Sequence, residues 1–359
     1  MFSYILKKTG YSVLVLFGVI SAIFFLFNVV PGDPASVILG QRANKEAIDA
    51  VHKDLGTDRP MAEQYLHYLN DLSPISLHRV NDPESLWYLN PDKYTWVPLF
   101  KAGNKTACVL KYPYLRKSYI SKRSVSEILG DTLPETAVLA ITAMFFSSVF
   151  GIVLGVFSAL RKNSLFDRSV FVLSTFIGMS APSFFAGLLL AWLFGYVLKD
   201  YTGLTPSGSL YEFDVWKGRT LQLSNLVLPA ITLGLRPLSI IIQLTRSSIL
   251  DVLSQDYIRT ARAKGLPERK VIFKHALKNA MNPVVTAVSG WLAGLMAGAV
   301  FVEKIFNWKG IGYAVVEALN NNDLPVVMGA TLVFAIIFIV MNILVDIIYG
   351  LLDPRVRVN

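Results

Sequence analysis

The sequence predicts an all-α membrane protein with six transmembrane helices, and three observations carry that reading. Of its 359 residues, 53% are hydrophobic and only 16% are charged, whereas a soluble domain carries about 25% charged residues. Mean hydropathy is +0.49. The apolar residues gather in blocks long enough to cross a hydrocarbon core of about 30 Å, and Lys and Arg cluster where those blocks end.

The first block, 11–30, follows Lys7 and Lys8. A secretory signal opens the same way, but this run exceeds the usual apolar core of about 7–15 residues. It closes on Asn28-Val29-Val30-Pro31-Gly32 without a small-x-small cleavage pattern. An uncleaved helix with residues 1–10 inside is expected. Residues 31–134 then read as a large extracytoplasmic segment of mixed charge. Ala47, Ile48, Val51 and Leu55 have helical spacing, while 77–122 is aromatic-rich and shows no clear period.

Five more blocks follow, at 135–160, 169–198, 225–245, 283–303 and 326–351. With the N-terminus inside, the link 161–168, the loop 246–282 and the tail 352–359 also fall inside. These inner segments hold fifteen Lys and Arg against five acids, and the short outer loops 199–224 and 304–325 hold five against five. That bias places both termini in the cytoplasm.

Several functions are disfavoured. The net charge of +9 follows topology rather than a basic groove interleaved with aromatics, which argues against nucleic-acid binding. Cys108 is the only cysteine, and the four histidines are scattered without ligand spacing, so no metal site is expected. There is no Gly-x4-Gly-Lys phosphate loop and no Ser/His/Asp constellation. The chain is therefore read as no enzyme, with no cofactor of its own.

The inner loop is the most informative segment. Ser254 is placed to cap a short helix, with Asp256 in its first turn and Lys264 in its last. Gly265 suits the left-handed conformation that ends a helix. Pro267 and Glu268 suit the start of a second helix, expected over Pro267–Ala280, before Pro283 opens the next span. From the residues alone, this elbow either slots into a soluble partner or rests at lipid headgroups.

The run Asp256-Tyr257-Ile258-Arg259-Thr260-Ala261-Arg262-Ala263-Lys264-Gly265-Leu266 resembles the EAA loop of ABC-importer permeases, in the form of the oligopeptide/dipeptide/nickel family. Leu244-Thr245-Arg246-Ser247-Ser248, His275-Ala276-Leu277-Lys278-Asn279-Ala280 and Pro31-Gly32-Asp33-Pro34 fit that family too. So do Leu55-Gly56 with Asp58-Arg59-Pro60, Glu303, Phe306 and Gly310-Ile311-Gly312, and the tail Asp353-Pro354-Arg355. The resemblance covers nearly the whole chain except about 73–123. Arg259, Thr260 and Ala261 stand where the general pattern has Glu-Ala-Ala, as is usual for the peptide branch. Lys278 stands where a proline is often found. A Gly-Asp-Leu-Gly-Ser run expected near Leu72-Ser73-Pro74 is missing, and an insertion follows.

This resemblance implies the type I ABC importer permease fold, a multi-pass protein of the bacterial inner membrane, and import of di- or oligopeptides. It implies a second homologous permease, an extracytoplasmic binding protein, and two cytoplasmic ATPase subunits that bind ATP and Mg. The ATPase-coupling residues would be Asp256, Tyr257, Arg259, Thr260, Ala261, Lys264, Gly265 and Leu266. It also implies that the fifth span, through Gly290, Gly294 and Gly298, lines a translocation path.

Two spans carry small residues at four-residue spacing: Ser147, Gly151, Gly155 and Ala159, then Thr286, Gly290, Gly294 and Gly298. In lipid such stripes allow close helix approach. Arg236 and Asp346 are ionisable residues inside apolar blocks. Both are read as lying toward inner span ends, where snorkelling to headgroups is easy, and as structural charges rather than substrate contacts; they could pair with each other. Two other function classes are a stand-alone ion-coupled transporter, which would need buried mid-membrane carboxylates, and a membrane enzyme or sensor built on 31–133. Nickel or another small solute is the alternative cargo within the ABC reading.

Overall fold

The computed structural model describes residues 2–29, 56–83, 85–102, 105–216 and 218–352, with Ala35, Lys45, Ile48, Asp49 and His52 between them. The Pro31-Gly32-Asp33-Pro34 and Asp353-Pro354-Arg355 motifs, Leu55, and most of the helix expected over 44–55 lie outside the described residues. The chain divides into two compact units.

One unit comprises Val13–Asp131 and Glu317–Val333. Helix α1 (Phe2–Val29) supplies Ile23 and Phe24 to its apolar cluster, and α2 (Met61–Leu72) supplies Tyr68 and Leu72. The all-α expectation is corrected here, because β1 (Ile75–Arg79), β2 (Trp96–Ala102) and β3 (Thr106–Lys111) form an antiparallel sheet in the order β1-β3-β2. In β1 the alternation turns Ser76 and His78 inward, as a period of two requires. That period was hard to read because β1 is short and the β2–β3 register shifts between Pro98 and Phe100. Val97, Phe100, Thr106 and Val109 are residue types that suit a pleated, half-buried surface. Buried Asp71 accepts a hydrogen bond from the Tyr94 hydroxyl at 2.7 Å, while Lys111 Nζ donates to the Asp71 carbonyl at 2.5 Å.

The other unit comprises Met1–Ser12, Thr132–Val316 and Phe334–Asn359. Helix α3 (Val125–Leu160) begins ahead of its apolar block and contains Pro134. The 169–198 block is not one helix. It divides into α4 (Leu165–Ser174), a π-helical turn (Thr175–Ser180), α5 (Ser183–Trp192) and a second π turn (Leu193–Val197). Pro182 causes the break: it lacks an N–H and disfavours helical ψ in the residue before it, and Ala181 is extended at ψ 131°. After α6 (Lys199–Thr202), β4 (Tyr211–Asp214) and β5 (Gly218–Leu221) form a second departure from the all-α expectation.

Helix α7 (Ser224–Leu253) continues well past residue 245, so the inner loop begins as an extension of this helix. There follow α8 (Asp256–Ala263), the short α9 (Glu268–Lys270), a π turn (Val271–Ala276) and α10 (Leu277–Gly298). The second loop helix expected over Pro267–Ala280 is thus split, and Pro283 lies inside α10 rather than opening it. Helices α11 (Val300–Ile305), α12 (Ile311–Asn320) and α13 (Leu324–Leu352) complete the chain. Among the described residues, four helical segments are long and apolar enough to cross a membrane: Lys8–Phe27, Val125–Leu160, Ser224–Leu253 and Leu324–Ile347.

Leu139 and Ala143 of α3, Leu233 and Ile241 of α7, and Val284 and Leu295 of α10 share one core with Phe306 and Trp308. Fully buried Glu303 organises the turn after α11. Thr136 Oγ1 donates to it at 2.7 Å and the Tyr313 N–H at 2.9 Å. A Cβ at Gly310 would collide with Thr136 Oγ1 and the Glu303 carboxylate, which explains a glycine there.

Candidate functional site

The inner loop is an elbow whose bend is set by local backbone chemistry. Gly265 sits at φ +74°, where a side chain is strained. Its N–H donates to the Arg262 carbonyl at 2.9 Å, and the Leu266 N–H reaches back to the Ala261 carbonyl at 3.4 Å. These two bonds around a left-handed residue form a Schellman motif. The apolar contact that accompanies it is present, because Ala261 and Leu266 share a cluster with Ile258, Val271 and Ala276.

The cap at the other end of α8 differs from expectation. Gln255, extended at ψ 149°, is the N-cap and makes no side-chain cap bond. Ser254 belongs to the end of α7, and its hydroxyl donates to the Asp251 carbonyl at 2.7 Å. The preceding helix runs farther than its apolar block, which moves Ser254 out of the capping position. Across the bend, Arg262 Nη2 donates to Glu268 Oε1 at 2.6 Å and Nε donates to Oε2 at 3.3 Å. This pair holds the Glu268 carboxyl below its usual range. It is solvent-exposed, so it adds at most about 1 kcal/mol. Asn279 Nδ2 of α10 also donates to the Tyr257 hydroxyl at 2.9 Å.

The expected coupling residues therefore separate into two faces. Asp256, Tyr257, Arg259, Thr260, Lys264 and Gly265 are exposed, while Ala261 is buried and Leu266 half-buried. The exposed group faces solvent, and the inward pair seats it on the π turn and the end of α7.

A buried ion pair beside the loop was not legible from the sequence. Asp167 is 3% exposed and accepts from Arg246 Nε at 2.6 Å and Nη2 at 2.7 Å. The Ser158 hydroxyl and the Asn163 N–H, the latter at 2.9 Å, also donate to it. Arg246 and these hydrogen bonds hold the Asp167 carboxyl well below the usual carboxylate range. The pair ties the 161–168 link to the part of α7 that feeds the elbow. Arg246 had appeared only as part of a motif, and nothing in the sequence pointed to Asp167 as its partner.

The intramembrane charges also differ from expectation. Asp346 pairs with Lys8, not with Arg236. Arg236 lies roughly 18 Å along α7 from Ser224, nearer the middle of the extended helix than its inner end. Gly290 and Gly294 are exposed, with nothing within 4 Å of an added Cβ. Gly298 ends α10.

These features define a helical membrane protein that presents a rigid, charged elbow beside a buried ion pair. The chain belongs to the family of binding-protein-dependent transport system inner membrane components. That family's model matches residues 151–358, and the model of its N-terminal region matches residues 1–78. Among curated relatives, the chain is 36% identical to a di/tripeptide transport system permease of Pseudomonas aeruginosa, with 99% of both chains covered. It is 33% identical to a dipeptide transport system permease of Escherichia coli, again with 99% of both covered. A glutathione transport system permease of Salmonella choleraesuis is also 33% identical over 99% of both chains.

Among solved structures, the inward-facing methionine ABC transporter MetNI is similar at a TM-score of 0.50 and 18% identity. That match covers 64% of this chain and 97% of the other. The fold is thus that of a type I ABC importer permease, as the inner-loop motif implied. The chain is a multi-pass component of the bacterial inner membrane, a transport subunit and not itself an enzyme.

Proposed function

We propose that this chain is the membrane-spanning permease subunit of an ATP-driven importer of di- or oligopeptides. The observation that carries the mechanism is the Schellman-capped elbow at Gly265, which holds Asp256, Tyr257, Arg259, Thr260 and Lys264 on one exposed surface. The named activities of the peptide and glutathione permeases above support the substrate class. In this reading six spans place both termini and the elbow in the cytoplasm. Two ATPase subunits bind ATP and Mg and close against the elbow, while a second homologous permease completes the path. An extracytoplasmic binding protein delivers the peptide to the outer side.

A push on α8 has a short physical route into the bundle. It passes through Ala261 and Ile258 to the π turn and α10, and through Leu253 into α7, where Arg246 engages Asp167. Rigid transmission requires the left-handed bend. Gly265→Val strains that bend by about 1–2 kcal/mol and misaligns the exposed arm. The test is ATP-dependent peptide uptake in proteoliposomes with binding protein present. Uptake is expected to fall at least ten-fold, with the variant still in the membrane but retaining less co-purifying ATPase. Undiminished uptake and ATPase retention would overturn the assignment.

A further inference from the structure

Arg236 opens onto a cavity of about 360 Å³ in the Thr132–Val316 region, within the range of small-molecule sites, roughly 300–1,000 Å³. The cavity lies at the helix break, with Ser180, Pro182 and Ser183 on one side and Trp291 and Gly294 of α10 on another. Among the described lining residues Arg236 is the one charge. It is exposed, and three acids of this unit have other partners. Asp167 holds Arg246, Asp346 holds Lys8, and Glu303 accepts from Thr136 and Tyr313. Thr232 Oγ1 is buried and donates to the Leu228 carbonyl at 2.8 Å, whereas Ser180 Oγ donates more loosely to the Thr175 carbonyl at 3.4 Å, so Ser180 and Ser183 are the better-placed hydroxyls. The cavity thus offers a planar five-donor cation, two hydroxyls, an aromatic wall and no acid.

A guanidinium midway along an apolar helix is costly unless it serves a path or a partner. We propose that Arg236 is a substrate contact that receives the C-terminal carboxylate of a peptide passing α10. This rests on the peptide reading above and supplies the recognition chemistry that reading leaves open. The guanidinium fork matches a carboxylate bidentately. A linear peptide carries that group whatever its side chains, so a path reading it accepts many sequences. The exposure of Arg236 keeps the contact weak enough to release, as passage requires.

The test uses the complete transporter in proteoliposomes, with binding protein in excess and preloaded with either a free dipeptide or its C-terminal amide. Arg236→Gln should lower free-acid uptake about ten-fold or more and leave amide uptake at the wild-type level. Arg236→Lys, which keeps charge but loses the fork, should fall between. Membrane yield and co-purifying ATPase report folding for both variants. Equal loss of acid and amide uptake would show a structural or subunit-pairing role and overturn the inference, as would unchanged acid uptake. A wild-type transporter that moves neither peptide would overturn the peptide reading as well, so the two failures are distinguishable.

Discussion

Helices α3 and α10 carry nearly the same pattern, four small residues at four-residue spacing, yet their surroundings differ. On α3, Ser147 and Ala159 are buried, and a Cβ at Gly151 or Gly155 would meet α7 at once. At Gly155 it would stand 2.6 Å from Thr245 Cβ and 2.8 Å from the Ile242 carbonyl oxygen. On α10 other positions do the packing, with Val284, Ala293 and Leu295 buried, while Gly290 and Gly294 face open space. Small residues permit close helix contact in lipid without naming the partner. One stripe is filled within the chain, and the other is available to a neighbour or to the solute path.

Substitutions on the two stripes can break that contrast. Gly155→Leu is expected to have the largest effect, because the side chain enters a backbone contact. Overpacking costs about 1–3 kcal/mol, so the melting midpoint of detergent-solubilised protein should fall along with membrane yield. Gly290→Leu should leave both within experimental error of wild type, a change below about 0.5 kcal/mol, while reducing assembly with a second permease or uptake. If it destabilised the isolated chain as Gly155→Leu does, the open stripe would be a packing stripe after all.

Smaller effects sharpen the same point. Ser147 Oγ lies 2.7 Å from the Gly234 carbonyl of α7 as well as from Ala143 of its own helix. Ser147→Ala should therefore cost about 1 kcal/mol in a denaturant titration. Thr286 Oγ1 donates only within its own helix, to the Asn282 carbonyl at 3.1 Å. Thr286→Ala should change the same titration least, by under about 0.5 kcal/mol. A larger cost for Thr286→Ala than for Ser147→Ala would reverse the comparison.

The candidate elbow was largely legible from the sequence, because a left-handed glycine between a short helix and a proline is a local signal. Gly265 takes the expected conformation, and Leu266 closes the motif behind it. Ser254 misled because capping depends on where the previous helix stops, and α7 continues polar-faced beyond its apolar block to Leu253. The π turn at Val271–Ala276 likewise leaves no clear mark in hydropathy.

The location of Ala261 changes what its substitution would mean. An acid there would sit against Val271 and Ala276, so it would unseat α8 from within rather than merely repel a partner.

By itself the sequence determined the membrane class, the apolar helical blocks and the glycine bend. Hydropathy, charge bias and backbone preference act over a few residues and accumulate along the chain. Tertiary structure alone decided which small-residue stripe is filled, that Asp167 meets Arg246 and that Asp346 meets Lys8. It also placed Arg236 beside the cavity at the Pro182 break. These outcomes depend on distances between segments remote in sequence, and in a bundle of uniformly apolar helices no local period records which neighbour each face will meet.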